Sequence, residues 1–154
     1  MLYSDADWGN CVDSRKSISG YVSMLSGGAT TWSSKKQATV AKSTMEAEYI
    51  ALAAANGENL WLRSLFTELG QPPNQPTTIL VDNRSAIDFA HNTGFHARSK
   101  HIDICHHFIC DSITSKEVSV NHCSSKENVA DIFTKPLPRA THEYLVEKLG
   151  MNSI

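Results

Sequence analysis

The chain has 154 residues, 41% of them hydrophobic and 19% charged, with a net charge of −2. A chain of this length forms one domain and buries about two-thirds of the surface it exposes when unfolded, so disordered and fibrous classes are excluded. The near-balanced charge excludes a global basic field, and any contact with nucleic acid must come from a local patch.

Residues 2–8 read as a strand that turns at Gly9-Asn10, and 13–17 as a polar connection. Residues 17–25 alternate, with Ile18, Val22 and Met24 on one face and Ser19, Tyr21 and Ser23 mostly on the other. Ser26-Gly27-Gly28 predicts a hairpin turn, and 29–33 a third strand around Trp32. Ser43-Thr44-Met45-Glu46 is a capping box that opens the longest helical stretch. That helix stops at Gly70 ahead of Pro72-Pro73, and Gly57 weakens its middle and marks an expected bend.

Residues 77–81 are an apolar, β-branched strand with Asp82 at its carboxyl end. A short helix over 84–91 follows, closed by Asn92-Thr93-Gly94, and then a longer one over 99–115. Residues 118–122 alternate as the last strand. Ser124-Ser125-Lys126-Glu127 repeats the capping-box pattern and predicts a helix carrying Asp131, ended by Pro136 and Pro138. Residues 140–149 form a terminal amphipathic helix. The order βββ-α-β-α-α-β-α predicts an α/β fold, a five-stranded mixed sheet flanked by helices.

No run of eighteen apolar residues is present and the first residues are polar, so neither a membrane span nor a signal peptide is expected. Cys11, Cys105, Cys110 and Cys123 lack CxxC spacing, which points to free thiols in a reducing compartment. His101/Cys105 and His106/Cys110 are i, i+4 pairs, yet the two pairs face different sides of a helix. No second ligand pair follows, so a zinc site is not expected.

The acids carry the chemistry. Tyr3-Ser4-Asp5-Ala6-Asp7-Trp8 places carboxylates inside a strand, which is costly unless a cation or hydrogen-bond donors meet them. Asp5 and Asp7 share one face, so alternation cannot choose between them. Glu46 is occupied as the capping partner of Ser43, whereas Glu48 has no local structural role and is the preferred site residue. Asp82 stands where ligands meet open α/β sheets, but it also suits the N-cap of the helix from residue 84. Asp131 by itself reads as a solvated helix residue. Four carboxylates from four elements suit one purpose, holding hard divalent cations against a phosphodiester.

The segments YSDADW, SRKSISGY, WSSKKQATVAKST, MEAEYIALA, VDNRSAI, SKHIDICHHFI and ENVADIFTKPLP, in unbroken order over 3–138, carry a family resemblance. The chain resembles the ribonuclease H domain of Ty1/copia-type retrotransposon Pol polyproteins, at the C-terminal end of such a polyprotein, and the resemblance implies a first strand that usually begins a few residues upstream of Met1. The resemblance implies a ribonuclease H-like domain over 1–138, with 139–154 as a C-terminal helix and tail. It implies metal-dependent hydrolysis of the RNA strand of RNA/DNA hybrids by Asp5, Glu48, Asp82 and Asp131. It also settles Asp5 over Asp7. The implied cofactor is a pair of Mg²⁺ ions, with Mn²⁺ able to substitute. Arg15, Lys16, Lys35, Lys36 and Lys42 become candidates for phosphate contacts. The implied partner is the reverse transcriptase part of the same polyprotein, and the implied location a cytoplasmic virus-like particle.

The chain departs from the family in two places. The loop before Asp131 has Ser124-Ser125-Lys126 where related enzymes often carry a histidine, and His122 lies in the preceding strand. Cys105 and Cys110 stand where arginines are common, as C-to-T decay of a silenced element would leave them. The alternative function is therefore a catalytically inactive remnant, or a binding module, with the same fold.

Overall fold

The computed structural model describes residues 1–92 and 100–151. The first strand, β1 (Leu2–Asp7), pairs antiparallel with β2 (Ile18–Leu25), and β2 pairs antiparallel with β3 (Gly28–Lys36). The hairpin between β2 and β3 turns through Ser26 and Gly27, both with positive φ (52° and 85°), the backbone that a two-residue turn demands. β3 runs three residues past its expected end, because Lys35 and Lys36 continue the ladder opposite Ser19 and Ile18.

Helix α1 (Thr44–Glu68) passes through Gly57 as one continuous element. Its N-terminus is the capping box expected: Ser43 Oγ accepts from the Glu46 N–H at 3.1 Å, and Glu46 accepts from the Lys42 N–H at 2.9 Å. Strand β4 (Thr77–Val81) and β5 (Val118–His122) add in parallel, giving a five-stranded mixed sheet of order β3-β2-β1-β4-β5. Helices α2 (Arg84–His91) and α3 (Lys100–Thr114) make the crossover between β4 and β5. The expected closure at Asn92-Thr93-Gly94 and the start of the long helix at Ser99 fall partly outside the described residues.

Both faces of the sheet are covered, so β2 is buried on its polar face as well as its apolar one. On one face Leu2, Ile79, Val81 and Val120 pack against Tyr49, Leu52, Phe89 and Ile109 of the helices. Ala47, Ala51 and Ala55 are fully buried, and these small side chains let α1 lie close to the strands. On the other face Val22 meets Val129, Leu145 and Leu149. The last two anchor α4 (Arg139–Lys148) and its C-cap, and the Leu149 carbonyl accepts from the Ala29 N–H at 3.0 Å. An ion pair of Lys148 with Glu127 fastens the same helix.

The expected helix carrying Asp131 is not formed. Residues Ser125–Glu127 and Val129–Phe133 are two 3-10 turns, and Ser124 makes no capping bond. Asn128 is the reason: it interrupts the run in an extended conformation and caps the second turn by accepting from the Ala130 N–H at 3.2 Å. His106 has a structural role on α3. It is buried, and its Nε2 lies 3.2 Å from the Phe89 carbonyl and 3.1 Å from that of Asn92, tying α3 to the end of α2. All four cysteines are free thiols. No helix among the described residues is long and apolar enough to cross a membrane.

Candidate active site

Asp5 sits in the middle of β1, 1% exposed, opposite Gly20 of β2. Burial pushes its carboxyl upward from the usual range, while the Thr134 hydroxyl and the Lys135 ammonium oppose the shift. Thr134 donates a hydrogen bond to Asp5 Oδ2, and Lys135 Nζ lies 3.6 Å from the same oxygen. Asp7, which alternation could not separate from Asp5, is half-buried and accepts from Asn10 in its own turn.

Glu48 lies in the second turn of α1, 7% exposed, with its Oε2 buried and without a hydrogen-bond partner among the described residues. Its carboxyl is pushed up to about 9, first by burial and then by the charges of Asp5 and Asp82. Asp82 follows β4 directly and is free of capping duty, because Asn83 caps α2 by accepting from the Ala86 N–H at 3.1 Å. Asp5, Glu48 and Asp82 each offer an oxygen within 4.8 Å of the others.

Asp131 is not part of that trio. It stands beside Asp5 on the second 3-10 turn, its carboxyl raised to about 6 by burial and then by Asp5. Its Oδ1 is 3.0 Å from Lys135 Nζ, so one ammonium bridges the two aspartates. The three converging carboxylates fit a hard divalent cation. They are oxygen donors only, they repel one another, and the orphaned Glu48 oxygen is a lone pair without a proton donor. The His/Cys helix contributes no comparable group among the described residues.

Four residues that sequence reasoning missed hold this arrangement. Thr134 and Lys135 are named above. Asn128, fully buried, donates to the Ser4 carbonyl at 3.0 Å while capping the Asp131 turn, so it joins that turn to the neighbour of Asp5. Asn128→Ala is expected to cost about 1–3 kcal/mol by stranding two buried backbone groups. A urea melt reads this as a lower midpoint at unchanged slope. Gly20 is the fourth: a Cβ there would lie 2.7 Å from Thr134 Cγ2 and 2.9 Å from Phe133 Cβ.

The five basic candidates lie along one margin. Arg15 and Lys16 are in the β1–β2 loop, Lys35 and Lys36 end β3, and Lys42 precedes α1. The Gln37 N–H bonds the Ser17 carbonyl at 2.9 Å, and Trp8 Nε1 bonds that of Ala41 at 3.1 Å, so these loops adjoin the carboxyl end of β1. Arg15, Lys35, Lys36 and Lys42 are exposed and Lys16 is half-buried. An apolar groove of about 550 Å³, lined by Met24, Trp61, Leu65 and Phe66, contains none of the acids.

No family model matches the chain. Solved structures settle the fold class. A ribonuclease H1 isolated from compost superposes with a TM-score of 0.62 at 16% identity, covering 86% of this chain and 90% of that one. The crystal structure of the same enzyme in complex with an RNA/DNA hybrid gives 0.60 at 14% identity, covering 86% and 91%. The N-terminal RNase H domain of a Mycobacterium tuberculosis protein gives 0.60 at 11% identity, covering 95% and 96%. The chain has a ribonuclease H-like α/β fold.

Its sequence relatives are narrower. It is 42% identical over 98% of its length to the Pol polyprotein of transposon TNT 1-94 from Nicotiana tabacum, covering 11% of that protein. It is 40% identical over 99% of its length to that of transposon RE1 from Arabidopsis thaliana, covering 10%. A Ty1 Gag-Pol polyprotein of Saccharomyces cerevisiae is 31% identical over 96% of the chain, with 8% of that protein covered. The chain is thus homologous to one stretch of Ty1/copia-type retrotransposon Pol polyproteins, and spans about a tenth of the length of these relatives.

Proposed function

We propose that this domain is a divalent-metal-dependent ribonuclease that hydrolyses the RNA strand of RNA/DNA hybrids during retrotransposon reverse transcription. The observation that carries the reading is the convergence of Asp5, Glu48 and Asp82, with Asp131 beside Asp5, on a ribonuclease H fold. When bound, two Mg²⁺ ions, or Mn²⁺ in their place, would supply an activated water and stabilise the departing 3′ oxygen.

The chain's own residues do the rest. Asp5, Glu48 and Asp82 would hold the cations, with Asp131 beside Asp5 as a further carboxylate. Thr134 fixes the Asp5 carboxylate by its hydrogen bond, which keeps one oxygen oriented. Arg15, Lys16, Lys35, Lys36 and Lys42 hold backbone phosphates, and 2′-hydroxyl contacts distinguish RNA from DNA. Hydrolysis then leaves 5′-phosphate and 3′-hydroxyl ends. On this reading the catalytic unit is 1–138, followed by the C-terminal helix and tail of 139–154, of which α4 is fastened to it through Leu145 and Leu149. The domain would work beside the reverse transcriptase of the same polyprotein, in cytoplasmic particles.

Substrate choice by the purified chain in Mg²⁺ tests the reading. An RNA/DNA hybrid should be cut in its RNA strand while single-stranded RNA and duplex DNA remain intact. A folded protein that leaves all three intact favours the inactive-remnant alternative.

A further inference from the structure

The four acids are not equally free of counter-charge here. Asp5, Glu48 and Asp82 converge, and neither Glu48 nor Asp82 makes an ion pair among the described residues, whereas the space between Asp5 and Asp131 is held by Lys135. The Lys135 ammonium sits 3.0 Å from Asp131 and 3.6 Å from Asp5. Asp131 and Lys135 are four residues apart on one turn, and the Thr134 hydroxyl between them reaches Asp5 and lies 3.2 Å from the Asp131 carbonyl. The turn therefore fixes where the lysine starts from. The side chain itself is 33% exposed, so its ammonium has a path to water.

We propose that Lys135 is a tethered counter-ion that guards the second cation position, between Asp5 and Asp131, and makes that position the weaker of the two. The proposal rests on the metal-dependent reading above and deepens it. Lysine suits such a role because it is a point charge on a flexible stem, strongly hydrated, without the planar fork that would lock it to a carboxylate. In the metal-free protein it offsets the repulsion between two buried carboxylates. Filling of the first position, at Asp5, Glu48 and Asp82, leaves its pairing with Asp131 intact. Filling of the second requires Lys135 to withdraw into solvent, so the lysine competes with the cation for the same two oxygens. Lys135 is a positioning residue on this account, and its effect is on occupancy before any chemistry begins.

The test is Mn²⁺ binding to the whole 154-residue chain without nucleic acid, followed by calorimetry and by the spin-resonance signal of free Mn²⁺. The wild type should show one stronger and one weaker site. Lys135→Gln should tighten the weaker site by at least about tenfold and the stronger by less than about threefold, whereas Lys135→Arg should keep the sites unequal. Asp131→Asn, with the lysine intact, should erase the weaker site alone, and should Lys135→Gln not fold, Lys135→Met is read by the same tenfold criterion. Equal tightening of both sites by Lys135→Gln, or no tightening, would overturn the proposal while leaving the metal reading in place. Loss of the stronger site in Asp131→Asn would overturn it as well. No Mn²⁺ bound by the folded wild type would overturn both.

Discussion

Glu48→Gln is expected to raise the melting temperature of the metal-free protein at pH 8 and to remove its cleavage activity. The two effects have one cause. Glu48 is held among Asp5 and Asp82 with a buried, unbonded oxygen, and its carboxyl is raised to about 9. The folded state thus keeps a proton that the unfolded state, near 4.5, has released. Stability of the metal-free protein therefore falls as pH climbs from about 4.5 towards about 9 and levels off above it. Asp131, raised to about 6 from 3.8, adds a smaller decline in the same direction at lower pH.

The glutamine carries no charge to bury. The gain at pH 8 should be on the order of 2 kcal/mol, which is roughly 4–8 °C for a domain of this size. The same substitution removes one of three cation-holding carboxylates, and cleavage should fall by at least about 10³-fold. Calorimetry in chelator at pH 5 and pH 8, repeated in Mg²⁺, checks this. The variant should melt higher only without metal and only at the higher pH. A wild type whose stability in chelator is flat from pH 5 to pH 8 would contradict the account of the site.

Gly20→Ala is the second large effect, and it acts through packing. Gly20 faces Asp5 across the ladder, and the turn carrying Asp131 lies against its Cα. An added methyl would sit 2.7 Å from Thr134 Cγ2, 2.9 Å from Phe133 Cβ and 3.2 Å from the Ala130 carbonyl oxygen. None of these can yield without moving the turn. Overpacking of this kind costs about 1–3 kcal/mol. Displacing Asp131 and Thr134 by about 1 Å should reduce cleavage by about 10²-fold. A thermal melt and a rate measurement on the same sample check both. A variant with native activity and stability would show that the turn does not need its close approach to β2.

These effects also show where the sequence was informative. The capping role of Glu46 was legible because a capping box is local, and Glu46 accepts from the Lys42 N–H as that pattern implies. Strand alternation could not separate Asp5 from Asp7, since both lie on one face of β1, and only the family resemblance favoured Asp5. What separates them is the turn around Thr134 and Lys135, some 130 residues away in sequence. Asp82 was ambiguous until Asn83 took the cap.

The late capping-box pattern misled, because Ser124-Ser125-Lys126-Glu127 has the right residues but Asn128 captures the following N–H and stops the helix. Lys135 carried no signal in the pattern of acids. It reads as one more surface lysine until the fold brings Asp5 beneath it. Gly20 could have been suspected, since a glycine inside an alternating strand often marks a close backbone approach.

The most direct measurement is cleavage of a hybrid with end-labelled RNA by the wild type and by Asp82→Asn, in Mg²⁺. Asp82 is half-buried, it leaves the capping of α2 to Asn83, and the lysine bridge joins Asp5 to Asp131 without it, so its loss should leave the fold intact. The account predicts internal cuts in the RNA with 3′-hydroxyl and 5′-phosphate ends, reduced at least about 10³-fold in the folded variant. Equal cutting by the two proteins, or none by a folded wild type, would contradict it.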